Sequence, residues 1–170
     1  RARRTIFNKY IISQLVYSMY HLPSGKTFLV SAKALIVQDK KILLLKNTND
    51  VTGLDGSEAK WELPGGLVEI DEPLEAALIR EVLEEIHIEI RIGKVVSVHD
   101  RWWNNFQFAD GRMLDVRQLA VGYLCSLQEK KIVLSNEHKK FQWIPLRKVA
   151  RIPIAENSKG LIVKYIQLEG

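Results

Sequence analysis

"GGLVEIDEPLEAALIREVLEEIHI", residues 65–88, decides how this chain is read. Two glycines open it, a polar stretch containing Asp71, Glu72 and Pro73 follows, and then comes a run of helical periodicity. Pro73 suits a first helical turn, and Asp71 or Glu72 before it can serve the exposed amides there. At about 100° per residue, Leu74, Leu78, Ile79, Val82, Leu83 and Ile86 cover one broad side, the expected buried face. Glu81, Glu84 and Glu85 fall together on an arc along its edge, and Ala77 one turn earlier leaves space beside them.

Carboxylates at such spacings repel one another by about 0.2–0.5 kcal/mol per exposed pair, and by more when desolvated. A hard divalent cation relieves that repulsion. Mg²⁺ takes carboxylate oxygens, keeps several waters and bridges protein acids to substrate phosphates. The cluster thus makes chemical sense as a metal cradle for a phosphate compound. Taken alone it has an ordinary rival: a solvated acidic face on which Arg80 and Glu84 form an i,i+4 pair.

Outward from this helix, "FLVSAKALIVQDKKILLLKN" (28–47) reads as a hairpin with Asp39 and Lys40 near its tip. "NTNDVTGLDGSEAK" (47–60) reads as a polar surface loop. Downstream, "IEIRIGKVVSVHDRWW" (88–103) and "MLDVRQLAVGYLCSL" (113–127) read as long strands joined by "NNFQFADGR". "EHKKFQWIPLRKVARI" (137–152) begins as a strand that Pro145 interrupts, and residues 158–168 look helical, with Leu161, Ile162, Tyr165 and Ile166 as the apolar face. At the other end, apolar residues from Thr5 to Tyr20 recur at three- and four-residue steps, a helix stopped by Pro23 and Gly25. Residues 1–25 are therefore expected to be a helical extension and 26–170 one domain.

The bulk properties agree with one globular domain: 170 residues, 46% hydrophobic and 26% charged. Lys and Arg exceed Asp and Glu by 25 to 20, a weak pull towards polyanions that does not make nucleic acid the expected main partner. Cys125 is the one cysteine, so a reducing, cytoplasmic setting is the simpler expectation and a buried core residue its expected role. No apolar stretch approaches the length that spans a bilayer.

With Gly66, Glu72, Arg80, Glu81, Val82, Glu84, Glu85 and Ile88 in place, the segment resembles the sequence box of Nudix hydrolases. Six specified Gly, Glu or Arg positions match, an agreement expected by chance on the order of once in ten million starts. That outweighs the solvated-face reading. "WELPGG" before the box and "NEHKKFQWIPL" after it resemble the family's usual neighbours. Two positions depart: His87 stands where the family has glycine, and Asp71 where glycine is frequent. A left-handed residue just past a helix costs a side-chain-bearing residue about 1 kcal/mol, and His tolerates it better than most.

The resemblance implies an α/β/α sandwich with a mixed sheet, and an enzyme that cleaves a nucleoside diphosphate linked to a further group. It implies Mg²⁺ as cofactor, with Mn²⁺ as a substitute. Glu81 and Glu85 would be the principal metal ligands, Glu84 would complete the set, a Gly65 or Gly66 carbonyl would join, and Glu69 would assist directly or through water. Arg80 would orient the glutamates. Glu85 and Glu137 are the two candidates for general base. Trp103, Phe106, Arg101 and Lys46 are candidates for substrate binding, with core packing or solvated charge as the alternative for each. Nucleoside triphosphates are the favoured substrates. A nucleotide sensor without hydrolysis and an RNA 5′-end pyrophosphohydrolase remain the alternatives, and a homodimer through the N-terminal helix is an expected assembly.

Overall fold

The computed structural model describes residues 21–22, 26–47, 60–107, 111–129 and 131–169. A short strand β1 (His21–Leu22) pairs with the start of β2 (Lys26–Gln38), which turns back into β3 (Lys41–Asn47). Asp39 and Lys40 form the turn with φ of 48° and 58°, and two left-handed residues in succession match the twist of a tight hairpin. The hairpin is the one expected from the sequence.

Beyond its tip, the two strands part. Only Val37–Ile42 and Gln38–Lys41 pair between them. β3 pairs on one side with β4 (Trp61–Glu62) and on the other with β7 (His138–Pro145). β2 instead runs parallel to β6 (Met113–Leu127) from Lys26–Asp115 to Ile36–Cys125, and β6 is antiparallel to β5 (Ile90–Gln107). The free edge of β2 is taken by the chain around the two glycines. Ala34 N–H donates to Pro64 O (2.9 Å), Ala32 N–H to Gly66 O (3.0 Å), and Val68 N–H to Val30 O (2.9 Å).

Among the described residues, one helix covers each face. Helix α1 (Leu74–Ile86) buries Leu78, Val82 and Ile86 against Ala32, Ala34, Ile36, Leu43, Leu45 and Tyr123. Helix α2 (Glu156–Glu169) buries Leu161, Ile162 and Tyr165 against Leu35, Ile42, Leu44, Trp61 and Leu63. Alternation along β2 sends Ala34 and Leu35 to opposite layers, so each strand feeds both cores. Each large apolar side chain so buried contributes about 1.5–3 kcal/mol. The architecture is the expected α/β/α sandwich on a mixed sheet. Between β7 and α2 lies a 3-10 helix (Leu146–Arg151) that begins directly after Pro145.

Four details differ from the sequence reading. The buried stripe of α1 is Ala77, Leu78, Val82, Glu85 and Ile86, while Ile79 and Leu83 are exposed. The helix is thus rolled so that its acidic edge, not only its apolar side, meets the sheet. β5 continues through Asn104–Gln107 rather than ending at Trp103. It does so across an irregularity between Trp103 and Phe106, where Asn105 takes φ 52° and donates its N–H to Asp115 Oδ1 (3.0 Å). α2 starts at Glu156, and Ile166 stands at its rim rather than inside. The N-terminal helix, the dimer contact assigned to it and most of the 47–60 loop lie outside the described residues. Among the described residues, no helix is long and apolar enough to cross a membrane.

Candidate active site

Glycine is demanded at position 65 by the backbone, and at position 66 it leaves room for a carboxylate. Gly65 has φ +111°, and a Cβ there would overlap the Ala32 carbonyl. A Cβ on Gly66 would overlap the Glu81 carboxylate. The loop is therefore pressed between β2 and the acidic edge of α1.

Glu85 lies at the centre of this contact. It is 7% exposed, and its Oε2 accepts the Gly65 N–H at 2.7 Å. Burial raises its pKa well above the ordinary carboxylate range; Lys33 opposes that rise, and Glu62 and Glu81 add to it. Glu81, one turn earlier, is likewise raised by burial although Arg80 and Lys33 pull the other way. Glu84 is exposed and meets Arg80 at 3.5 Å.

Arg80 spreads over several oxygens. Its Nε and Nη2 donate to the two Glu72 oxygens at 3.0 and 2.6 Å, Nη1 to Glu81 Oε1 at 2.8 Å, and Nη2 also to the Leu67 carbonyl at 3.2 Å. The paired bonds to Glu72 are the largest cause of a raised arginine pKa, and the same bonds lower that of Glu72. Glu69 enters through its backbone, donating its N–H to Glu72 Oε1 at 2.9 Å.

The far wall comes from the chain between α1 and β7. Ser135 N–H donates to Glu85 O (2.9 Å) and Val133 N–H to Ile86 O (3.1 Å). His87 ends α1 in the left-handed conformation, φ 55° and ψ 36°. Its Nδ1 lies 2.9 Å from the Val133 carbonyl, which can only accept, so that nitrogen carries the hydrogen. Glu137 follows, exposed but within reach of the cluster: burial first, then the charges of Glu81 and Glu62, raise its pKa. His138 is buried, with Nε2 3.6 Å from Glu85 Oε1 and, among the described residues, no hydrogen-bond partner on either ring nitrogen. Burial lowers its pKa, while Glu62 pulls the other way. It is buried because β7 pairs His138 with Asn47 and turns its side chain towards α1.

One member of the site was missed. Lys33, in the middle of β2, is 5% exposed. Its Nζ donates to the Leu63 carbonyl (3.3 Å) and, at close range, to the Gly65 carbonyl, and it meets Glu62 Oε2 at 3.4 Å. The signal was present: a single charge inside the apolar run "SAKALIV" needs a buried partner.

Trp103 and Phe106 meet edge to face, 6.2 Å apart. Phe106 is buried with Leu29 and Val116, and Trp103 is half-buried on that cluster together with Leu67, one residue past Gly66. Arg101 stacks on Trp103 at 4.4 Å and reaches Glu156 Oε2 at 3.1 Å. The neighbouring Trp102 is exposed, with Arg117 over its ring at 4.5 Å, so the two tryptophans part to opposite faces as strand geometry requires. Lys46 lies over the Trp61 ring at 6.0 Å on the β3 side.

Among the described residues, no group of three His, Cys, Asp or Glu side chains is arranged to hold a metal ion as it stands. The donors are nonetheless of the right chemistry: the carboxylates of Glu81 and Glu85 and the Gly65 carbonyl are hard oxygens, and that carbonyl already accepts from a cation, the Lys33 ammonium. Residues 27–165 match the family model of the NUDIX domain. The chain belongs to the Nudix hydrolase family. This Nudix chain is 30% identical over 138 residues to the CTP pyrophosphohydrolase of Escherichia coli, covering 79% of itself and 89% of that protein. It is 26% identical over 116 residues to an Escherichia coli nucleoside triphosphatase, NudI, covering 65% and 77%. The solution structure of the Escherichia coli ORF135 protein superposes with a TM-score of 0.63 at 26% identity, covering 88% of this chain and 96% of that one.

Proposed function

We propose that this Nudix hydrolase is a nucleoside triphosphate pyrophosphohydrolase that works with Mg²⁺, or Mn²⁺ in its place, and releases a nucleoside monophosphate. The observation that carries this is the Glu85–Gly65 contact, which brings a buried carboxylate and a bent Gly–Gly loop together beside Glu81. The 30% identity to a CTP pyrophosphohydrolase supports the substrate class.

In this reading Glu81, Glu85, the Gly65 carbonyl and the more exposed Glu84 would hold the ion. When bound, it supplies neutralisation of the pyrophosphate and a lower pKa for an attacking water. Arg80 keeps Glu81 aimed by binding it and Glu72 together. Water attacks phosphorus, the P–O–P bond breaks, pyrophosphate leaves, and a carboxylate takes the proton of the water. Glu137 suits that last task better than Glu85. It is open to solvent, and its raised pKa brings it nearer to working pH, whereas Glu85 is already engaged by an amide.

Trp103 backed by Arg101 offers a flat surface for a base, with Phe106 as its buttress. Lys46 would meet a phosphate. The setting in this reading is the cytoplasm, where the lone cysteine stays a thiol.

The test is a panel of nucleoside triphosphates, ADP-ribose, dinucleotides and nucleotide sugars, with Mg²⁺ and with chelator. Metal-dependent release of monophosphate from a triphosphate, lost in Glu85→Gln, is expected. Absence of turnover together with tight binding of one member would make the protein a sensor instead.

A further inference from the structure

Lys33 raises a question of charge. It projects from β2 on the face of Leu29 and Leu35, beneath the Gly–Gly loop, and its ammonium is almost fully enclosed. A buried ammonium is tolerated only when opposite charge and acceptors surround it. Here the acceptors are the Leu63 and Gly65 carbonyls and Glu62 Oε2. Its companions are all hard oxygens, the donors a divalent ion would take. Arg80 does not compete for them, being spent on Glu72, Glu81 and Glu84.

We propose that the Lys33 ammonium is a resident cation of this acid cluster, holding the Gly65 carbonyl and balancing Glu62 and Glu85 in the place of a divalent ion. The enzyme then binds metal more weakly, or in fewer copies, than the same acids would without Lys33. This rests on the metal-dependent reading above.

The experiment measures Mn²⁺ binding to metal-stripped full chain without substrate, by the electron paramagnetic resonance of free Mn²⁺ and by calorimetry. Wild type is compared with Lys33→Met, which keeps the length of the side chain, and Lys33→Ala, which empties its space. Removing a like charge from beside the ion should strengthen Mn²⁺ binding about tenfold or more, through an added site or a tighter one. Metal-free variants should melt below wild type, and Mn²⁺ should raise their Tm more than it raises that of wild type. A variant that folds only with Mn²⁺ supports the proposal. Unchanged or weaker Mn²⁺ binding by the variants, or a loss of Tm that Mn²⁺ does not reduce, overturns it. If neither wild type nor the variants bind Mn²⁺, the metal-dependent reading falls as well; if wild type binds and the variants do not gain, only the role of Lys33 falls.

Discussion

Glu85 Oε2 accepts the Gly65 backbone N–H at 2.7 Å, a bond across 20 residues that ties the last turn of α1 to the loop on β2. Glu85→Gln keeps an oxygen for that amide and so preserves the loop, while removing the charge. Turnover of a nucleoside triphosphate with Mg²⁺ should fall about 10²–10⁴-fold, with the far-UV spectrum unchanged. Wild-type rates in a folded Gln variant would exclude Glu85 from the chemistry.

The same substitution should have an opposite effect on stability. Burial raises the pKa of Glu85 above the ordinary value of about 4.5. A group raised on folding contributes stability that is complete below 4.5 and lost as pH rises through the folded pKa. Without metal, Glu85→Gln should therefore melt above wild type at neutral pH, and the gap should close on acidification. Glu72, lowered by Arg80, works in the reverse sense: its contribution is present above 4.5 and fades as pH falls through its folded pKa. Thermal melts of Glu85→Gln and Glu72→Gln across pH would separate the two.

Arg80 meets Glu72, Glu81 and Leu67 with a planar fork that an ammonium cannot copy. Arg80→Lys should lower metal affinity or activity about 10–100-fold. Mn²⁺ titration of Arg80→Lys checks the first and triphosphate turnover the second.

Glu137 and Glu85 are separable by binding. Glu137→Gln should reduce kcat about 10²–10⁴-fold if Glu137 is the base, while leaving Mn²⁺ affinity close to wild type. Loss of Mn²⁺ binding in this variant would make Glu137 a ligand instead.

At His87 the left-handed backbone is offset by the contact with Val133 O. His87→Gly exchanges one advantage for the other and should leave Tm within a few degrees of wild type. His87→Val loses both, and should cost about 1–3 kcal/mol in chemical denaturation.

Much of this was legible because residue type and spacing are strict there. The acid arc, the Gly–Gly bend and the Asp39–Lys40 turn each follow from local geometry, and each is where the sequence puts it. The roll of α1 was not legible. A wheel ranks Ile79 and Leu83 as buried by hydrophobicity, but Lys33 and the Gly65 amide compensate Glu85, so the carboxylate goes inside and those two side chains go out. Lys33 and His138 escaped for a related reason. Their burial depends on β2 and β7 lying against the same loop and helix, contacts between residues more than 20 positions apart that no periodicity encodes.

The stitching of residues 64–68 onto β2 has a dynamic corollary. Lids and ligand-gripping loops are commonly drawn from the least stable part of a fold. Here the loop shares backbone hydrogen bonds with a central strand, at Ala32, Ala34 and Val68, so it cannot lift without unzipping part of the sheet's edge. This floor of the candidate site is accordingly a rigid anvil, and any adjustment to a bound ligand must come from the opposite side.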